Sequence, residues 1–277
     1  MTLLRMIAAT VLGLVVAVPS AFAADAAAVR AMMEKSGLVA QYSDLGTQMH
    51  DALIKSPPPG LKPGLASLMA TIVGNTMDGK QVLDQVQTIL AGSLSADDLK
   101  AMDTFFVSDL GSRIVKAEIA GSAPAAQDHV DQNAQQLLAQ ARGDPQRVAL
   151  FEDIDRKLKS SELSARASQS LLRALSMAMA ESGPVPPDPK RIAAANAHID
   201  AMHGALVREA QLAMIASAEW TYRSFSTAEM KTYAAFLESD PSQIMYAAVS
   251  AVMDGFYAKT GKRIGEELAA AVKQQRT

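Results

Sequence analysis

A sixteen-residue signature occurs twice in this chain, 131 positions apart, and no other feature limits the possible folds as much. Leu94-Ser95-Ala96-Asp97-Asp98-Leu99-Lys100 leads to Phe105-Phe106-Val107-Ser108-Asp109; Phe225-Ser226-Thr227-Ala228-Glu229-Met230-Lys231 leads to Phe236-Leu237-Glu238-Ser239-Asp240. Ser95 with Asp98, and Ser226 with Glu229, have capping-box spacing, in which the hydroxyl accepts from an orphan backbone N–H and the carboxylate reaches back. Each predicts a helix start. Leu94 with Leu99, and Phe225 with Met230, sit where a hydrophobic staple forms across such a cap. Beyond it, Leu99, Met102, Phe105 and Phe106 recur at helical spacing, matched by Met230, Tyr233, Phe236 and Leu237. One apolar stripe is expected in each copy, with Phe105 and Phe236 fully buried. Asp109 and Asp240, after Ser108 and Ser239, are read as N-caps of a following helix.

Between the signatures, alanine-rich segments carry apolar residues three and four apart, and alternating β-type runs are not evident. The expected fold is all-α. Two proline-rich breaks, Pro57-Pro58-Pro59-Gly60 with Pro63 and Gly183-Pro184-Val185-Pro186-Pro187 with Pro189, lie about as far apart as the signatures. Prolines in series end helices. This predicts two tandem copies of a multi-helix unit, residues 24–143 and 144–277, packed as a helical array with a pseudo-two-fold repeat.

Residues 1–23 have the order of a secretory signal peptide: Arg5, a charge-free stretch Met6 to Val18, then Pro19 and Ala21-Phe22-Ala23. Cleavage after Ala23 and a periplasmic location follow as expectations. No transmembrane segment is expected after cleavage, since the apolar run is shorter than the roughly 20 residues a span needs. The net charge of −3 and pI of about 5.8 speak against nucleic acid as a partner. With no cysteine, disulfides, thiol catalysis and thiolate metal sites fall away together.

The string Leu94-Ser95-x-x-Asp98-Leu99-Lys100 with Phe105-Phe106-x-Ser108-x-x-Gly111 resembles the hallmark of domain-of-unknown-function family 2059. The resemblance implies an exported, bacterial, helical protein and supplies no activity.

Local sequence offers few sites. His198 and His203 are five apart, about 140° around a helix, so they do not share a face. Met49-His50 and Met202-His203 repeat a thioether–imidazole pair whose soft ligands suit Cu(I), although adjacent helical residues diverge by about 100°. The other methionines, such as Met102, Met214 and Met230, read as core filling. Glu152, Asp153 and Asp155 read as a solvated face beside Arg156 and Lys157. Trp220, Tyr222 and Phe225 close a long helix expected from near Lys190. They are either the wall of an apolar groove or an interhelical plug, and the plug is favoured. No phosphate loop, dinucleotide fingerprint or nucleophile elbow occurs. The sequence therefore favours a non-catalytic envelope protein without a cofactor, binding a protein partner or an apolar small molecule. Copper handling ranks second and an enzyme third.

Overall fold

The computed structural model describes residues 24–58, 60–181 and 188–274. The expected signal peptide lies outside them, as does most of the second proline-rich break. Among the described residues there are fourteen helices and no strand. In chain order they are α1 (Ala26–Lys35), α2 (Leu38–Tyr42), α3 (Leu45–Lys55), α4 (Pro63–Thr76), α5 (Gly79–Ser93), α6 (Ala96–Phe106), α7 (Asp109–Ser122), α8 (Pro124–Arg142), α9 (Pro145–Leu158), α10 (Ser160–Glu181), α11 (Pro189–Ala201), α12 (His203–Thr221), α13 (Thr227–Leu237) and α14 (Asp240–Gln274).

Helix starts follow the local chemistry. Both capping boxes form: Ser95 Oγ accepts from the Asp98 N–H at 3.1 Å while Asp98 takes the Ser95 N–H at 2.9 Å. Ser226 and Glu229 repeat this at 3.3 and 2.8 Å. The staple residues Leu94, Leu99, Phe225 and Met230 are all buried. Asp25, Asp78, Asp144 and Asp188 cap α1, α5, α9 and α11, and prolines open α4, α8, α9 and α11, where no N–H is needed.

Four expectations are corrected. Asp109 and Asp240 are the first helical residues rather than the caps; the serine does the capping, Ser108 Oγ accepting from the Gly111 N–H at 3.0 Å. The long helix expected from Lys190 breaks at Met202, whose N–H is shared between the His198 and Ile199 carbonyls, giving α11 and α12. Asp155 is buried, because its carboxylate turns inward to accept the Ser161 N–H at the start of α10 (2.9 Å). Phe105 and Phe236 are half-buried, while their neighbours Phe106 and Leu237 take the interior positions. The reason is that the two rings lie on each other, with centroids 3.8 Å apart and planes 5° from parallel, so each covers one face of its partner.

At an offset of 131, α6 falls on α13 and α7 on the first part of α14. Pro124, which opens α8, falls on Gly255, inside α14. Proline cannot continue a helix and glycine can, so α7 and α8 are two helices where α14 is one of 35 residues.

The halves share their interior. The larger core cluster takes Met32 and Met33 from α1, Met69 from α4, Val86 and Leu90 from α5, Met102 from α6, Ala174 from α10 and Met253, Phe256 and Leu268 from α14. A second cluster joins Ile114 of α7 to Phe151 and Ile154 of α9, Tyr222, Met230, Tyr233 and Leu237. Phe105, Phe236 and Tyr246 border both. Helix α5 packs on α14 and α7 on α12, so segments from one half lie on the other. No described helix is long and apolar enough to cross a membrane.

Candidate functional site: a tyrosine-lined cavity opening into a groove along α10

Helix α10 is flanked by α12 on one side and α14 on the other, and along its outer surface Ser160, Ser164 and Ser168 recur every four residues on one face. Opposite them stand Met202, at the break before α12, and Leu206, Ala210, Ala213 and Met214 of α12 at helical spacing. With Leu171, Leu172 and Leu175, and with Leu53 and Pro57 from the first proline-rich break, they enclose a groove of about 960 Å³. Serine side chains are small and leave room between the helices, and the leucines make the wall apolar.

At Ser160, Met214 and Ser217 the groove meets an inner cavity of about 310 Å³. Ser36, Gln41, Glu118 and Gln127 reach this cavity from the N-terminal half, and Asp155, Tyr222, Tyr233 and Tyr246 from the other. Glu118 lies on the inward stripe of α7, beside Ile114, Val115 and Gly121. Tyr222 donates to Glu118 Oε1 at 2.7 Å, and Tyr233 donates to the same oxygen at 2.6 Å. Among the described residues no hydrogen bond reaches Oε2, both phenols bonding Oε1. Burial raises the Glu118 carboxyl above the usual carboxylate range, and the two phenol donors offset this in part. Tyr222 and Tyr233 are pushed well above the ordinary phenol value, first by burial and then by the Glu118 charge. Burial raises Tyr246 too.

The cavity wall is held from behind. Arg147 of α9 donates to the Tyr222 carbonyl at 2.6 Å and the Phe225 carbonyl at 2.9 Å, pairs with Glu219, and lies 5.0 Å over the Phe151 ring. Arg113 of α7 bonds Glu229 and Asp109 and sits 5.2 Å over Phe225. The turn carrying Tyr222 is thereby tied to both halves.

The aromatic trio expected from sequence is divided. Tyr222 lines the cavity. Phe225 is buried in the second core cluster. Trp220, near the end of α12, packs at a tilt of 32° on His129 (centroids 3.9 Å apart) and takes the Arg223 guanidinium on its ring, by a separate hollow between α7, α8 and α12. Met49 packs on the main core and His50 Nδ1 lies 2.8 Å from Asp51. Met202 faces the groove, whereas His203 is held between Gln169 and Glu162, each at 3.2 Å. Among the described residues no three His, Asp or Glu side chains are grouped to hold a metal ion. Ser95, Asp98, Ser108, Ser226, Glu229 and Ser239 cap helices or bond neighbouring backbone, while Phe105 and Phe236 form the ring stack.

Sequence placed Tyr233 only on an apolar stripe, and it pointed to neither Glu118, Tyr246 nor a serine row on one face of α10. Glu118 left one trace, a carboxylate at helical spacing from Gly111, Ile114 and Val115 on an otherwise apolar stripe. Its phenol partners are 104 and 115 residues away.

Comparison with curated proteins and with solved structures gives no match. Residues 80–141, which span most of α5 to α8 and include the first signature and Glu118 but not the second signature, match the model of domain-of-unknown-function family 2059, described as an uncharacterized protein conserved in bacteria.

Proposed function

We propose that this is an exported, non-catalytic protein of the bacterial cell envelope that holds a small molecule by its apolar part in the groove between α10 and α12. The observation that carries the reading is the continuity of that groove with a recessed inner cavity, at volumes of about 960 and 310 Å³. Small-molecule sites are concave, mostly apolar, contain a few convergent polar groups, and commonly measure about 300–1,000 Å³. A protein partner would more naturally meet an exposed patch than a slot between helices.

Export is part of the proposal. It rests on the leader-like residues 1–23. The reading of residues 24–143 and 144–277 as two copies is supported by equivalent residues Phe105 and Phe236, which face each other as residues do on a two-fold axis. On this reading the site lies between the copies, and neither copy can supply it alone.

Catalysis by Glu118 is the reading its raised carboxyl favours second. Binding accounts for the surroundings better, because the phenols around it hold their protons more tightly than usual and supply no base.

Ser168→Trp tests the proposal by filling the groove from a position exposed on α10. Octanol and a fluorescent naphthylamine are the probes. The wild type is expected to bind both with micromolar to millimolar affinity, and the variant, with unchanged circular dichroism, to lose at least tenfold. Equal binding by the two proteins, or none by the wild type, contradicts the proposal.

A further inference from the structure

The ionisable residues lining the two connected spaces are all of one kind. In the cavity they are Glu118, Asp155, Tyr222, Tyr233 and Tyr246, and in the groove Glu209. No lysine, arginine or histidine is among the described residues that line either space. A carboxylate withdrawn from water is ordinarily neutralised by a cation beside it. Glu118 is half-buried, and its partners among the described residues are two phenols, both on Oε1. A phenol whose O–H donates to a carboxylate keeps its proton and still has oxygen lone pairs for a donor from the other side. The aromatic rings in turn offer electron-rich faces, which attract a desolvated cation.

From this juxtaposition of Glu118 Oε2, three phenol oxygens and their rings with an apolar groove, we propose that the ligand is a primary alkylammonium, its amine in the inner cavity against Glu118 and its chain in the groove along α10. The inference rests on the groove reading and adds the charge and hydrogen-bonding class of the head. The ammonium supplies N–H donors to Oε2 and to the tyrosine oxygens, and its charge replaces the missing basic side chain. The ionisable groups that an anionic head would meet there are all acidic. A neutral alcohol could fill the same space, yet it would forgo the charge-assisted bonds, which are about twice as strong as neutral ones. The serines and glutamines of the cavity, including Ser36, Gln41 and Gln127, can donate or accept and so do not oppose the head.

The test compares octylamine, octanol and octanoate at neutral pH, by calorimetry on the full mature chain and on Glu118→Gln. The three probes share one chain length and differ in the head. The wild type is expected to bind octylamine about ten- to a hundredfold more tightly than octanol, and octanoate least, with Glu118→Gln bringing the octylamine-to-octanol ratio close to one. The amide keeps a carbonyl oxygen for both phenols, and the ranking of the probes on the wild type is informative even without the variant. Octanol binding with no octylamine advantage, a preference for octanoate, or an advantage that survives Glu118→Gln each overturns the ammonium assignment while the groove reading stands. Binding of none of the three overturns both.

Discussion

Glu118 carries a structural role whatever occupies the cavity, since two buried phenols depend on one of its oxygens. Glu118→Ala strands both donors, and each unsatisfied buried polar group costs about 1–3 kcal/mol, so a loss of about 2–6 kcal/mol is expected in urea unfolding. Glu118→Gln should cost less, because its carbonyl still accepts. The pH dependence separates two carboxylates of opposite behaviour. Glu118 is raised in the fold, so it binds a proton more tightly folded than unfolded; its effect is to weaken the fold as pH rises from the free-chain value of about 4.3 toward the folded one. Glu229 is pulled down to about 2, first by the Arg113 guanidinium and then by the Ser226 N–H and hydroxyl. Its stabilisation is present above about 4.3 and disappears as pH falls toward 2. Urea midpoints measured from pH 2 to 8 should therefore show a shallower acid loss for Glu229→Gln than for the wild type, and for Glu118→Gln a deficit that narrows as pH rises above the free-chain value of about 4.3. The capping role of Glu229 was legible from Ser226-x-x-Glu229 because a capping box is local in sequence. The second role, receiving Arg113 from 116 residues away, was not.

At the scale of elements, the signature was read correctly where it concerns helix starts, since caps, staples and opening prolines act within four or five residues. It was misread where burial depends on what lies opposite: spacing placed Phe105 and Phe236 on the inward stripe but could not show that they would lie on each other at the border of two cores. Leu237→Ala and Phe106→Ala are therefore expected to cost more than Phe105→Ala or Phe236→Ala, in the range of about 2–5 kcal/mol for fully interior side chains. A double-mutant cycle on Phe105 and Phe236 should return a coupling of about 0.5–1.5 kcal/mol, the usual worth of a stacked pair beyond its buried area. A cycle returning zero would mean the rings do not meet. Glycine separates the two signatures further. A Cβ at Gly255, exposed on α14, meets nothing within 4 Å, so Gly255→Ala should stabilise by up to about 1 kcal/mol through helix propensity. At Gly111 a Cβ would strike the Phe105 carbonyl, and Gly111→Ala should lower the urea midpoint.

The whole molecule is organised by interlocking rather than by stacking of separate halves. The main core draws on segments from Val29 to Leu268, and α5 and α7 each pack on a helix of the C-terminal half. A chain built this way should unfold in one transition whose midpoint is the same by far-ultraviolet circular dichroism and by Trp220 fluorescence. The helical class was legible from periodicity, because a period of 3.6 is a property of each segment alone. The groove was not, because it exists only where Ser160, Ser164 and Ser168 of α10 come opposite Leu206 and Ala213 of α12, across a break at Met202 that no proline marks. Hydrogen exchange of the full mature chain, with and without saturating octylamine, tests the ligand reading most directly. Ligand in the groove is expected to slow exchange along α10 and α12 and at the Tyr222–Phe225 turn, with α4 and α5, which line neither space, little changed. Protection confined to other helices, or an unchanged exchange pattern at saturation, would contradict a ligand site between the halves.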